Sequence, residues 1–223
     1  MAGSEMTTTE GPVQPTRGRT RWGRVVAMLA SAGVAGVVMF LLTAQGVLAA
    51  QFAISGLPFT VTSSKLTGTG FEQFGSFDSM VPGSPNSNNC PPPQTNCGGS
   101  IIVVVSAINS ATLADLCQSV GFGPFALKIT AGGTTPVTAS TLITDSTELN
   151  GDVTFTNANI GQDASTLTEV PNVVGLSGVF AEQADTVQIS NLRQTNWATT
   201  ASTFTLPNLH LAFVATPNGS SGC

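Results

Sequence analysis

His210 is the only histidine in the 223-residue chain, so it is the one side chain whose ordinary pKa suits a general base near neutral pH. A serine hydrolase would pair it with a serine on a G-x-S-x-G elbow. The nearest string, GLSG at 175–178, lacks the second spacer. His210 itself alternates with Leu209 and Leu211, as an outward polar position of a strand does. Two carboxylate pairs, Asp145 with Glu148 and Glu182 with Asp185, have the chemistry a glycosidase needs on either side of its sugar. Their settings, TDSTELNGD and AEQAD, read as solvated turns beside strands. A chain with no Tyr and a single Trp after residue 50 also builds few aromatic platforms for a sugar ring. Zinc is disfavoured because Cys90, Cys97, Cys117 and Cys223 are not in paired C-x-x-C spacing. The glycine-bearing loops GTGF (68–71) and GGTT (132–135) open no helix that could face a phosphate. The expectation is a protein with no catalytic residue, no metal and no cofactor.

The elements that would have to position such groups fall into two unlike parts. Residues 1–24 are a basic, cytoplasmic N-terminus carrying Arg17, Arg19, Arg21 and Arg24. Residues 25–50, VVAMLASAGVAGVVMFLLTAQGVLAA, hold no charge and are long enough to cross a hydrocarbon core of about 30 Å as one hydrophobic helix. Arginines ahead of an apolar run keep that end in the cytoplasm, so the chain beyond residue 50 is extracytoplasmic. Two readings stay open: a signal peptide cut after Val47-Leu48-Ala49, giving a secreted protein, or a single-pass transmembrane anchor. Past residue 50, ten acidic residues stand against Lys65, Lys128 and Arg193, a net charge of −7. Nucleic acid is thereby excluded as a partner, since phosphate binding needs clustered cations. Outside a cell the cysteines can oxidise. Cys90 and Cys97 bracket PPPQTN and form a candidate local disulfide, and Cys117 and Cys223 are a candidate second pair.

Residues 51–215 alternate apolar and polar side chains in short runs rich in β-branched residues, among them PFTVTSS (58–64), IIVVVSAI (101–108), FALKIT (125–130), DVTFTNANI (152–160) and LHLAFVA (209–215). They predict one all-β domain of short strands, elongated or sandwich-like, with a Pro/Cys-rich loop at 79–99 and a flexible tail at 216–223. One phrase occurs twice: TLADLCQS (112–119) and QISNLRQT (188–195). The first alone would pass as a helix capped by Ser110. The second, where Val187 and Ile189 alternate into Asn191-Leu192, would not. A shared β conformation puts Asp115 and Asn191 at a left-handed or bulge position, which these residue types tolerate. The strongest apolar run, TNWATTASTFTLPNLHLAF, offers Trp197, Phe204, Leu206, Leu211 and Phe213 either as core or as a candidate groove for an acyl chain.

Four strings, SSKLTGTGFEQFGSFD (63–78), ATLADLCQSV (111–120), ELNGDVTFTNANIG (148–161) and FAEQADTVQISNLRQTNWATTASTFTL (180–206), resemble a family of small exported actinomycete proteins of unassigned function. The resemblance brings no established activity and no catalytic residue to any position here; some members carry an automatic cholesterol esterase label, which the missing G-x-S-x-G elbow does not support in this chain. The chain departs from that pattern in its Pro/Cys loop and in the tail ending at Cys223. The function expected is a non-enzymatic cell-envelope structural or binding module, with membrane or envelope lipid as partner and protein partners unknown. The alternatives are a secreted esterase or lipase-like hydrolase, and a surface assembly protein joined through exposed strand edges.

Overall fold

Period-two alternation that shifts phase at a few Asn, Asp, Gly and Thr positions yields strands that bend without ending. A computed structural model describes residues 54–86, 99–216 and 222–223; the leader (1–50), Cys90 and Cys97 lie outside the described residues. The described residues form nine strands in chain order: β1 (Phe59–Ser79), β2 (Ser100–Ala114), β3 (Leu116–Phe122), β4 (Phe125–Ala131), β5 (Val137–Thr156), β6 (Asn159–Asp163), β7 (Phe180–Thr200), β8 (Thr203–Thr205) and β9 (His210–Ala215). The all-β expectation holds: the strands form one antiparallel sheet, and among the described residues no helix is long and apolar enough to cross a membrane. The main strands are longer than the sequence runs suggest, with 21 residues in β1 and in β7, because Gly70, Gly151 and Asn191 are bends within strands.

Pairings β1–β2, β2–β5, β5–β7 and β7–β1 close a ring of four strands. The largest apolar cluster draws on all four, with Leu66 and Phe71 from β1, Leu113 from β2, Val137 from β5 and Ile189 and Leu192 from β7. Closure removes the free edges that a long strand would otherwise present. Strands β3, β4 and β9 continue from β1 as a side wing. The loop between β6 and β7 turns Ala164, Leu167, Val170 and Val173 onto Phe74, Val103, Val105 and Ala107 in a second cluster.

The repeated phrase occupies the two sides of β1. Leu66 of β1 faces Leu113 on one side and Ile189 on the other, and Thr62 faces Cys117 and Arg193. Between those pairs Asp115 and Asn191 take φ of 51° and 54°, and Ser64 of β1 lies opposite both with the register unchanged on either side. Ser64 Oγ donates to Asp115 Oδ2 at 2.7 Å, Ser63 Oγ donates to the Ala114 carbonyl at 2.6 Å, and Asn191 Nδ2 donates to Asp152 Oδ2 at 3.1 Å. Adjacent strands therefore bend at one level. The helical reading of the first copy fails because its apolar residues gain partners on β1 and β5 that no isolated helix could offer. Asn191→Val, which forces a β-branched side chain into the left-handed region, is expected to lower the unfolding free energy by about 1–2 kcal/mol in urea titration, and Asn191→Gly by less than about 1.

Candidate functional site

At the end of the ring where β7 leaves β1, the backbone turns through Thr200–Ser202 into β8 and leaves a surface groove of about 520 Å³. Its walls are Ile54, Phe59, Trp197, Ala198, Ala201 and Phe204, with Ser55, Gln118 and Thr199 the polar contributors. A break in the alternation explains the composition. Positions 192, 194 and 196 of β7 are buried, and then the β5–β7 register shifts, leaving Trp197 unpaired between Asn196 and Ala198. Trp197, Ala198 and Thr199 therefore reach the same groove, and Trp197 packs beside Ile54, Met80 and Ala198. Its Nε1 donates to Thr147 Oγ1 at 3.2 Å, which holds the indole in place with its ring against the groove.

Three groove residues, Gln118, Thr199 and Phe204, also bound a small cavity of about 30 Å³ inside the ring. Ser106, Thr144, Gln194 and Asn196 give this chamber a polar lining within an otherwise apolar core. Asn196 is fully buried; its Nδ2 donates to Thr199 Oγ1 at 3.4 Å and its Oδ1 accepts no hydrogen bond.

The five residues singled out from the sequence are dispersed. Trp197 and Phe204 line the groove, and Leu206 packs half-buried against the ring core. Leu211 and Phe213 are not among the groove's walls. They sit on β9, 56% and 70% exposed, opposite Ile129 and Leu127, with the Phe213 ring 6.4 Å from that of Phe122. Cys117 on β3 is bonded to Cys223 with 5.9 Å between Cα atoms. This tie lays Gly222 against Ser119, Ala126 and Val214, and Arg193 Nη1 donates to the Cys223 backbone oxygen at 3.3 Å.

The model of the family described as "Family of unknown function (DUF6230)" matches residues 55–223. The chain belongs to the DUF6230 family. No curated protein and no solved structure matches it.

The carboxylates of this DUF6230 domain pair differently from their spacing in sequence. Asp145 is hydrogen-bonded to Asp78, from the far end of β1. Burial raises both, and the Asp78 charge adds to the rise at Asp145, which reaches about 7 and so carries the shared proton. Glu148, the expected partner, instead accepts from Asn150 Nδ2 at 2.9 Å. Burial raises Glu182, while Asp185 is exposed and accepts from Asn157 Nδ2 at 2.6 Å. His210 is exposed on β9 opposite Thr130. Among the described residues no group of three His, Cys, Asp or Glu side chains could hold a metal ion.

Glu72 is a buried carboxyl that no motif announces. It is fully buried, and its Oε1 accepts from the Val170 N–H at 2.8 Å. Its Oε2 has no partner, and burial pushes its pKa up to about 7. The phase shift at Gly70 turns Glu72 under the β6–β7 loop. Asn196 was equally hidden: continuing the alternation from Leu192 through Gln194 would have placed it inside, where an amide needs partners.

Proposed function

We propose that the protein is a non-enzymatic, extracytoplasmic lipid-binding module of the cell envelope, secreted or tethered according to the fate of residues 25–50. The groove carries this reading: six of its nine walls are apolar, and it is large enough to take several methylene groups. Each buried methylene contributes about 0.8 kcal/mol, so a groove without charged side chains can hold an alkyl chain by area alone. The domain's acidity supports the same mode, since a protein with three cations after residue 50 gains nothing from anionic headgroups.

The test uses Trp197 as reporter in the full chain, with Trp22→Phe removing the other indole. Mid-chain-brominated acyl chains are expected to quench Trp197 saturably. Ala201→Phe, which fills the groove, is expected to weaken that binding about tenfold, the equivalent of losing two methylene contacts. Unsaturable quenching that is the same in both proteins would remove the reading.

A further inference from the structure

We infer that the chamber behind the groove selects the head of the bound lipid, and that the head is a neutral hydroxyl, as in a long-chain alcohol. The inference rests on the groove reading above and adds the chemistry at its inner end. Groove and chamber share Gln118, Thr199 and Phe204 as walls, so the two spaces adjoin, and the proposal seats the end of the alkyl chain at this shared boundary. The chamber holds about 30 Å³, room for a water or a hydroxyl and too little for a phosphate or a choline.

Its polar chemistry decides which small head fits. Asn196 Oδ1 is fully buried, is unpartnered and is an acceptor only. Its own Nδ2 is turned to Thr199, and the neighbouring Ser106 hydroxyl already accepts from Gln73 Nε2 at 2.7 Å. The group that completes the chamber must therefore donate a hydrogen bond to Oδ1. An alcohol does so, and its oxygen can accept from the Ser106 or Thr144 hydroxyl. A carboxylate has no proton to donate and would set its charge against an amide oxygen, with no Lys or Arg among the chamber walls to offset the burial. A plain alkane leaves Oδ1 unsatisfied. In the unliganded protein one water can take the same place, and the hydroxyl of the lipid displaces it while keeping its hydrogen bonds.

The experiment compares three mid-chain-brominated ligands of equal length, an alcohol, an alkane and a fatty acid at pH 8, with the Trp22→Phe full chain in phosphatidylcholine nanodiscs and Trp197 quenching as the readout. The alcohol is expected to bind about tenfold more tightly than the alkane, and the fatty acid more weakly than either. In Asn196→Leu the alcohol's advantage is expected to vanish while alkane binding persists. Thr144→Val, which keeps side-chain shape, gives the same comparison, with a smaller loss of the alcohol's advantage, if the leucine variant does not fold. Equal binding of all three ligands, preference for the carboxylate, or an advantage that survives in every variant that folds would overturn the chamber's role and leave the groove standing. Absence of saturable quenching by any of the three would instead overturn the groove reading itself.

Discussion

Cys223→Ser is expected to lower the unfolding free energy of the oxidised protein by about 2–4 kcal/mol, the typical worth of a disulfide closing a long loop. The bond to Cys117 spans 106 residues, so in the unfolded chain it removes the conformations of everything from β3 to the end of the chain. A chain-entropy estimate for a loop near that length is about 4.7 kcal/mol, and native-state effects usually reduce what is measured. The structural consequence concentrates in the wing. Strands β3, β4 and β9 lie beyond the four-stranded ring, and Gly222 and Cys223 are packed on the face carrying Ser119, Ala126 and Val214. Loss of the tie also frees the Cys223 backbone oxygen from Arg193. Urea titration of the wild type, of Cys223→Ser and of the Cys117→Ala/Cys223→Ala double variant checks this. The two variants are expected to coincide near one another and well below the wild type. Substitution is preferable to a reducing agent because it acts on this bond alone.

Glu72→Gln is expected to flatten the pH dependence of stability between pH 5 and 8. The Glu72 carboxyl titrates at about 7 in the fold against 4.5 for an unperturbed glutamate, because burial penalises its ionised form. The folded state thus binds the proton more tightly than the unfolded state. Its contribution is fully present below pH 4.5 and is lost as pH rises through 7. A difference of that size corresponds to on the order of 3 kcal/mol. The direction is opposite to that of an ion-paired carboxylate. Glutamine keeps an oxygen for the Val170 N–H but cannot ionise, so the variant should match the wild type near pH 5 and exceed it at pH 8. A shallower slope of the same sign remains from Asp145, which is raised for the same reason and by Asp78. Denaturant midpoints across this range measure both. If the wild-type slope persists undiminished in Glu72→Gln, the β6–β7 loop is not held over an ionisable group in the way the geometry requires.

Local chemistry was readable from the sequence where it depends on residue type. Runs such as IIVVVSAI and FALKIT declare strands through β-branched alternation, and Asp115 and Asn191 declare bends because few other residues accept a positive φ. The doubled phrase is legible as shape for that reason. What it cannot reveal is that both copies border the same strand: pairing of β1 with β7 joins Leu66 to Ile189, a choice made by which faces are apolar once the bends have shifted their phase. The same long-range pairing hides the site. Asp78 and Asp145 meet only because the ring closes, and Asn196 faces a cavity only because four strands surround it. Apolar type alone does not separate a groove wall from an exposed edge, so Trp197 and Phe204 look no different in sequence from Leu211 and Phe213, which lie on β9.

Dependence of Trp197 quenching on bromine position along a single alkyl chain addresses the proposed groove most directly, in the Trp22→Phe full chain. A chain seated between Phe59, Ala201 and Phe204 holds its segments at fixed depths beside the indole, so quenching should saturate at one ligand per protein and peak for one bromine position. Quenching that is independent of bromine position and rises without saturation would mean that no chain is held there, and would contradict a lipid-binding role for this domain.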